Sequence, residues 1–525
     1  MLKISFYGAC RTVTGSCCLI ETNDTKLLID CGMFQGSKDL KELNYGEFEF
    51  APSEIDYVIL THAHIDHSGL IPKLVKKGFK GTIIATKPTT DLCSIMLPDS
   101  GHIQELEVER KNRKLARAGK PLIEPIYTHI DAQRALMQFS TLDYGLKVDL
   151  TPTVSIRFQD AGHILGSTIV EMWVKENKVE TKIVFSGDIG NLNQPIVHDP
   201  TVIQEADYLV METTYGNRLH KNIGDKQELL LQIIESTFLR GGNVIIPAFA
   251  VERTQDLLYY LSRLDLEGRL PDCKIFVDSP LAISANEIFK VSVKYFDDET
   301  KAAFGKIWES PGILKRIVMT RSAEESKKLN EIKTNAIIIS ASGMCDAGRI
   351  KHHLKHNLWR EESSVVFVGY QAPGTLGRQI VDGKKQVRIH GEQIAVNAQI
   401  HNLDGFSGHA DQEALLQWFD SFKQKPKEVF LVHGEPDGME AFKNLLLERY
   451  DVEVHMPELN QTFDLKHGQV KTYDLAGPTE KDLAYIYANI INKLSELYKV
   501  NIDRQEVKQL YDKLKAIERA IEDVH

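Results

Sequence analysis

The 525 residues exceed one ordinary domain, and the hydrophobic fraction of 42% is that of a globular protein with buried cores. We expect a cytoplasmic protein without a membrane partner, because the sequence shows neither an apolar run of about 18 residues nor a secretory leader. The formal net charge of −10 argues against indiscriminate polyanion binding, yet a metal centre and a few arginines can make one cleft positive. Seven scattered cysteines without a CxxC pair predict buried thiols rather than disulfides or a cysteine zinc site.

The first half of the chain alternates short apolar segments with glycine turns. The segments LKISFYG, CCLIET, KLLIDCG, DYVILTHAH and GTIIATK are aliphatic or β-branched and end at turn residues, which predicts strands. Helical spacing intervenes at residues 70–77 and 90–117, and VSIRFQDAGH, STIVEMWV and TKIVFSGDIG continue the strands. This order predicts a layered α/β domain.

From about residue 209 the chain repeats a strand followed by a helix or loop. The strand-like segments are GGNVIIPAF, KIFVDSP, NAIIISAS and SSVVFVGY, and the chain returns at about residue 401 with HNLDGFSGHAD and EVFLVHGE. Regular β–α alternation favours a parallel sheet in a lobe of its own. We therefore predict a first domain over residues 1–208, an inserted lobe over 209–400 and a return segment over 401–475.

The last stretch, residues 476–525, has apolar residues at helical spacing. They form two faces, Leu483, Ile486, Ile490, Leu494 and Leu497 on one and Val507, Leu510, Leu514, Ile517 and Ile521 on the other. The spacing predicts a helical hairpin tail. Such a hairpin either packs on the body of the protein or forms the contact of a homodimer.

A dense group of metal-ligand side chains follows the strand DYVIL. His62, His64, Asp66 and His67 lie within six residues, in the segment THAHIDH. A turn at a strand end can aim the first two at one metal and the last two at a neighbour. Imidazoles and a carboxylate are the donors that zinc accepts in open catalytic sites. The alternative is a polar loop with ordinary surface histidines.

Three later strand ends offer further ligands. His163 lies between two glycines in DAGHILGS, Asp188 follows a strand in FSGDIG, and His433 follows another in FLVHGE. Strand-end histidines and aspartates are often structural, so each fragment alone is a weak signal. Together, in this order after HxHxDH, they indicate one metal site.

These motifs resemble the metallo-β-lactamase superfamily, and specifically its β-CASP nuclease branch, over residues 1 to about 475. The resemblance implies an αββα sandwich with an inserted parallel α/β lobe. It also implies that each chain binds two zinc ions. The ligands of the first would be His62, His64 and His163, those of the second would be Asp66, His67 and His433, and Asp188 would bridge the two ions. Asp30 of KLLIDCG would orient the metal loop, unless it is a turn aspartate. Related di-iron oxidases usually have glutamate at the position of His64, so zinc is favoured over iron.

Three later segments resemble motifs of the nucleic-acid branch. Glu212 in METTYG resembles motif A of the branch, His409 in FSGHAD resembles motif B, and His433 fills motif C. RNA-acting members carry histidine at motif C, whereas DNA-repair members usually carry valine. The resemblance implies that a hydroxide shared by the metals attacks phosphorus, that His409 is the general acid and that Glu212 orients it, with Asp66 acting as both ligand and catalytic residue. The alternatives are a core-lining His409 and a helix-capping or surface Glu212.

The inserted lobe supplies candidate contacts to substrate phosphates. They are the arginines after strands and small residues near them, Arg253, Arg349, Arg378, Gly374 and Thr375, to which the return segment adds Ser407. Backbone amides at a helix start can bind phosphate, as the resemblance to RNA-processing members implies. Each arginine can instead form a salt bridge within the protein.

The sequence thus predicts a di-zinc ribonuclease whose partner is RNA, with single-stranded RNA favoured. The segments SGMCDAGR and FSGHAD resemble those of the cleavage-and-polyadenylation endonuclease type, which favours an endonuclease over a 5′ exonuclease. One alternative is a small-molecule hydrolase of the same fold, acting as a thioesterase or lactonase, which should lack the inserted lobe and the Glu212–His409 pair. A non-enzymatic scaffold is the other, and it should have lost ligands.

Overall fold

The computed structural model describes residues 2–176, 178–220, 226–308, 311–372, 374–466, 469–474 and 515. The helical hairpin and homodimer contact predicted for residues 476–525 therefore lie outside the described residues, apart from position 515. The described strands are, in chain order, β1 (Lys3–Phe6), β2 (Cys18–Glu21), β3 (Lys26–Ile29), β4 (Tyr57–Ile59), β5 (Thr82–Ala85), β6 (Phe139–Thr141), β7 (Lys147–Asp149), β8 (Val154–Asp160), β9 (Thr168–Glu176), β10 (Val179–Phe185), β11 (Tyr208–Glu212), β12 (Val244–Pro247), β13 (Lys274–Val277), β14 (Ile317–Met319), β15 (Ala336–Ser340), β16 (Ser364–Phe367), β17 (Gln386–Ile389), β18 (Glu392–Ala395), β19 (Gln399–Asn402), β20 (Glu428–Val432), β21 (Glu453–His455), β22 (Gln461–Lys466) and β23 (Gln469–Asp474).

The described α-helices are α1 (Lys38–Leu43), α2 (Ile65–Ser68), α3 (Ile71–Lys76), α4 (Lys87–Arg117), α5 (His129–Leu136), α6 (Lys226–Leu239), α7 (Arg253–Leu266), α8 (Pro280–Val291), α9 (Asp298–Trp308), α10 (Pro311–Arg316), α11 (Ala323–Leu329), α12 (Ile350–Asn357), α13 (Leu376–Val381), α14 (Gln412–Asp420) and α15 (Pro436–Arg449). The helices predicted near residues 70–77 and 90–117 correspond to α3 and α4. Within the described part of the chain, no helix has the length and apolar character that crossing a membrane requires.

Two facing sheets form the body of the protein. The first has the order β23-β22-β1-β2-β3-β4-β5-β6, and the second has the order β21-β20-β11-β10-β9-β8-β7. Side chains alternate between the two faces of β3, because Leu27 and Ile29 join the cluster between the sheets while Leu28 joins the cluster beneath the helices. The layer between the sheets is thus a core formed by both, including Phe158 and Met172 of the second sheet.

Helices cover the outer faces of both sheets. Leu74 of α3 and Leu92 of α4 pack against the first sheet, while Leu415 of α14 and Phe442 of α15 pack against the second. The protein is therefore the αββα sandwich that the sequence predicts. The seven cysteines are free and buried, which agrees with the predicted buried thiols.

A third sheet forms the inserted lobe, with the order β14-β13-β15-β12-β16-β19. Its neighbouring strands all pair in parallel. Both faces are buried, because Ile246 points into one hydrophobic cluster and Ile245 into another. Burial on both sides explains why the lobe's strands read as unbroken apolar runs instead of alternating ones. The predicted parallel α/β lobe is present.

Strand pairing suggests where the lobe begins and ends. Strand β11 pairs with β10 and β20 of the second sheet, and β19 pairs with β16 of the lobe. The expected boundaries at residues 209 and 400 would each divide one of these strands. We therefore propose that the lobe extends from residue 213 to residue 402.

Candidate metal centre

Loops from both sheets meet at one edge of the sandwich. The first sheet contributes Asp30 at the end of β3 and the segment from His62 to His67 after β4. The second sheet contributes the loops after β8, β10 and β20, which carry His163, Asp188 and His433 respectively. Several of these loops turn sharply, with positive φ at Gly162, Gly187 and His433 among others. The fold thereby brings together seven donor side chains that are up to 371 positions apart in the sequence.

The first donor group consists of His62, His64 and His163 with one oxygen of Asp188. His64 Nδ1 lies 3.1 Å from His62 Nε2 and 3.2 Å from His163 Nε2. Asp188 Oδ2 lies 3.4 Å from His62 Nε2 and 3.6 Å from His163 Nε2. Donors around a tetrahedral zinc ion with bonds of about 2.0–2.1 Å are roughly 3.3 Å apart. The spacing of the group fits such an ion.

The second donor group consists of Asp66, His67 and His433. His67 Nε2 lies 3.3 Å from His433 Nε2, which lies 3.6 Å from Asp66 Oδ2. The other oxygen of Asp188, Oδ1, lies 3.3 Å from His67 Nε2, so this carboxylate faces both groups. Oδ1 is buried and has no hydrogen-bond partner among the described residues. A buried carboxylate oxygen without a partner is costly, and a cation at this point would satisfy it.

Hydrogen bonds behind the donors fix the orientation of three imidazoles. His67 Nδ1 contacts Asp30 Oδ2 at 2.7 Å, His163 Nδ1 contacts the Gly408 carbonyl at 3.2 Å, and His433 Nδ1 contacts the Thr214 hydroxyl at 3.0 Å. Since these partners accept the Nδ1 proton, the lone pair of Nε2 faces the centre in the uncharged form of each ring.

Asp30 has a second contact that stabilises the metal loop. Its buried carboxylate accepts hydrogen bonds from the Thr61 amide and hydroxyl, both at 2.8 Å. One carboxylate therefore holds the start of the THAHIDH turn and the ring of His67 together. The orienting role of Asp30 stays a prediction, which these contacts support.

Burial sets the charge state of the first donor group. It lowers the pKa of His62 and His163 well below the ordinary value and the pKa of His64 to about 4. At neutral pH these imidazoles are uncharged, which is the form that binds zinc. Burial also lowers the pKa of His67, but the charges of Asp188 and Asp30 outweigh it and raise that pKa.

His409 and Glu212 form a pair beside the donors. His409 Nδ1 lies 3.2 Å from Glu212 Oε1 and 4.0 Å from Asp188 Oδ2. Glu212 is 1% exposed and also accepts a hydrogen bond from the Ile189 amide at 2.6 Å. Burial lowers the pKa of His409, but the Glu212 carboxylate outweighs it and raises the pKa to about 9. An imidazolium held this way can donate a proton from Nε2.

Three family models match the chain. They are the metallo-β-lactamase superfamily over residues 11–132, the Beta-Casp domain over residues 254–380 and the Zn-dependent metallo-hydrolase RNA specificity domain over residues 393–457. Ribonuclease TTHA0252 of Thermus thermophilus is 39% identical over 450 residues, which are 85% of this chain and 96% of that relative. The chain belongs to the β-CASP family of the metallo-β-lactamase superfamily.

Two further proteins are similar to this β-CASP chain. Transcription termination factor FttA of Methanocaldococcus jannaschii is 30% identical over 465 residues, covering 87% of this chain and 70% of that relative. A crystal structure of a protein of unknown function from Enterococcus faecalis V583 has a TM-score of 0.48 and 14% identity, covering 88% of this chain and 99% of that one.

The three arginines predicted to contact substrate each have a carboxylate partner within the lobe. The distances are 2.5 Å from Arg253 Nη1 to Asp256, 2.7 Å from Arg349 Nη1 to Asp278 and 2.7 Å from Arg378 Nε to Asp382. These are the salt bridges that the sequence left as the alternative. Contact with substrate stays a prediction for all three, and it requires each arginine to share or release its partner.

The small residues predicted to contact substrate have structural contacts of their own. The Thr375 hydroxyl accepts a hydrogen bond from the Arg378 amide at 3.2 Å and so caps helix α13. Buried Ser407 donates to the Tyr215 hydroxyl at 3.3 Å. Gly374 is exposed and has a φ of 86°, with open space where a Cβ would lie. Gly374 is thus exposed at the surface, and the role of all three residues stays a prediction.

A row of side chains beside His409 escaped the sequence analysis. The Tyr215 ring lies 6.2 Å from that of His409 and 6.3 Å from that of Tyr370. Arg218 lies 5.9 Å from the Tyr370 ring and 3.8 Å from Glu435, and 46% of its side chain is exposed. Tyr215 lies within the METTYG segment and Arg218 follows it, so their proximity to Glu212 in sequence was the available signal. Tyr370 comes from the lobe, and its spacing from motif A gives no signal.

Proposed function

We propose that this β-CASP hydrolase cuts phosphodiester bonds of single-stranded RNA with the aid of two zinc ions. The Glu212–His409 pair carries the proposal, because it puts a protonated imidazole 4.0 Å from the carboxylate that faces both donor groups. The names of two relatives, a ribonuclease and a transcription termination factor, support RNA as the substrate. Histidine at position 433 supports it as well, through the motif C pattern of RNA-acting members.

The donor groups divide naturally between two ions. His62, His64 and His163 would hold the first zinc, and Asp66, His67 and His433 the second, with Asp188 between them. When bound, such a pair lowers the pKa of water to about 7 and so supplies a hydroxide nucleophile at neutral pH.

His409 and Glu212 supply the proton that the leaving group needs. Glu212 accepts the hydrogen bond from His409 Nδ1, which leaves Nε2–H to face the substrate. As the bond from phosphorus to the leaving ribose oxygen breaks, Nε2 gives its proton to that oxygen, and a hydroxyl leaves instead of an alkoxide. Glu212 holds the ring in orientation through the step and favours its charged form before it.

The small-molecule alternative fits this chain less well. A thioesterase or lactonase of this fold should lack both the inserted lobe and the Glu212–His409 pair, and this chain has both. The scaffold alternative predicts missing ligands, whereas all seven donors are present and close together. A cleft between the sandwich and a second lobe is also a common place for an extended ligand to bind.

A His409→Ala variant tests the proposal. We expect zinc-dependent cleavage of a labelled single-stranded RNA to fall by about 100-fold or more, the size of a general-acid contribution, while the zinc content stays unchanged. His129→Ala is a matched control, because this histidine is 45% exposed and pairs with Glu105 on helix α4. Cleavage by His409→Ala at the wild-type rate would show that another group donates the proton.

A circular RNA separates the two modes of cleavage. We propose endonucleolytic cleavage, so we expect the circle to be opened to a linear product of full length. A 5′ exonuclease needs an end and leaves the circle intact while degrading its linear counterpart.

A further inference from the structure

Glu252 of the inserted lobe reaches the loop that carries His163. It lies directly before helix α7, and its Oε2 accepts a hydrogen bond from the Leu165 amide at 2.8 Å. Leu165 is two residues after His163 in the loop between β8 and β9. Glu252 is only 4% exposed, so water does not compete for this hydrogen bond.

The backbone of Glu252 is strained. Its φ of 67° and ψ of −63° lie in a region that glycine adopts easily and that residues with a Cβ avoid. Residues other than glycine persist in such conformations where the surrounding structure demands them, often near functional sites. The backbone at this position favours glycine, and the contact of the Glu252 side chain with the His163 loop explains why glutamate is found there.

The next residue, Arg253, lies near a second partner of His163. The His163 ring donates from Nδ1 to the Gly408 carbonyl, and a Cβ on Gly408 would lie only 3.0 Å from the Arg253 guanidinium. Arg253 is itself held by Asp256 at 2.5 Å. The start of α7 therefore contacts the His163 loop through Glu252 and leaves little room for a side chain at position 408.

We propose that Glu252 is a positioning residue, through which the inserted lobe sets the geometry of the first donor group. The inference rests on the proposed metal centre, since it concerns how firmly His62, His64 and His163 hold their ion. Removing the Glu252 acceptor frees the Leu165 amide and lets the His163 loop shift. The second donor group has no contact with Glu252 among the described hydrogen bonds, so its affinity stays the same.

Three variants of the full-length chain separate positioning from a structural role. Glu252→Gln keeps an acceptor oxygen, Glu252→Ala removes it, and Glu252→Gly removes it while also relieving the backbone strain. Glu228→Ala serves as the control, because it removes a partly exposed glutamate from the same lobe. The readouts are zinc affinity, from titration against a chromophoric chelator, and the thermal unfolding midpoint of each metal-free protein.

We expect the zinc affinity of one of the two sites to fall by about tenfold or more in Glu252→Ala and Glu252→Gly. Loss of a group that orients a metal ligand typically has an effect of this size. The other site stays unchanged in both, and Glu252→Gln and Glu228→Ala keep both sites. The metal-free Glu252→Gly unfolds at a temperature no lower than the wild type, because its strain is gone.

Two results would overturn the inference. Wild-type affinity at both sites in Glu252→Gly would show that the hydrogen bond does not position His163. Equal weakening of both sites would show a general structural role for Glu252. A wild-type chain that binds fewer than two zinc ions would instead overturn the metal centre itself, and this inference with it.

Discussion

The arrangement of single atoms determines what this centre can do. Asp188 has one carboxylate oxygen toward each donor group, and three histidines have their Nδ1 atoms engaged behind the centre. The protein therefore fixes the direction of each lone pair before any ion binds. Preorganisation of this kind favours tight binding, because little side-chain freedom is lost when the metal arrives.

Glu212 is the residue whose role is easiest to isolate. Glu212→Gln removes the charge that favours the protonated form of His409 and keeps the size of the side chain. We expect kcat for RNA cleavage to fall by about 100-fold, within the range of general-acid contributions, with zinc content unchanged. Steady-state kinetics and metal analysis check this, with Glu54→Gln as a control at an exposed site. Loss of zinc in step with activity would mean that Glu212 is a ligand.

Arg218 is a candidate for phosphate binding beside His409. Its carboxylate partner among the described residues, Glu435, is 3.8 Å away, whereas Arg378 lies 2.7 Å from Asp382. We expect Arg218→Ala to raise KM about tenfold, the value of one charge-assisted hydrogen bond, with kcat within about twofold of wild type. Arg378→Ala, measured in parallel, should change KM less because its partner already neutralises it. A larger KM effect at Arg378 would contradict this order.

At the scale of elements, strand ends bring the donors together, and the packing beneath holds them in place. Phe430 of β20 is fully buried between the sheets, with its ring 5.4 Å from that of Phe6 and 4.9 Å from that of Phe463. The same strand ends one residue before His433. Core packing and ligand position are thus linked through a few residues of β20.

Phe430→Ala should destabilise the sandwich. We expect the free energy of unfolding to fall by about 3–5 kcal/mol, as for other large-to-small changes at buried aromatics. Denaturant titration measures the change, with Leu447→Ala as a control because that side chain is 46% exposed on helix α15. A loss below about 1 kcal/mol would show that the two sheets do not depend on this contact.

Sequence patterns predicted much of the fold and the donor set for identifiable reasons. The HxHxDH ligands are contiguous in the sequence, and the other donors directly follow apolar runs that predict strands. Both patterns can therefore be recognised in a single sequence. The partners of Arg349 and Glu252 are Asp278 and Leu165, which are 71 and 87 positions away. Spacing gives no signal for such distant pairs, so the Asp278 partner of Arg349 was not identified and Glu252 was missed. The lobe boundaries stay a prediction, because β11 looks apolar in either sheet.

At the scale of the whole molecule, the sandwich and the inserted lobe meet in an apolar cluster and beside the donor groups. Phe289 and Phe296 of the lobe are buried in the same cluster as Leu92 and Leu97 of helix α4. On the polar side, Glu252 and Arg253 of the lobe meet the His163 loop and Gly408. The lobe therefore does more than cover the sandwich, since it contacts the loop that carries one of the proposed metal ligands. The net charge of −10 argues against indiscriminate polyanion binding.

Zinc titration of the metal-free chain tests the central claim most directly. The measurement is the rate of single-stranded RNA cleavage as zinc is added in equivalents per chain. If seven donors hold two ions around Asp188, the metal-free protein is inactive and the rate rises to a plateau at two equivalents. Cleavage without metal, or a plateau at one equivalent, would contradict the two-metal account.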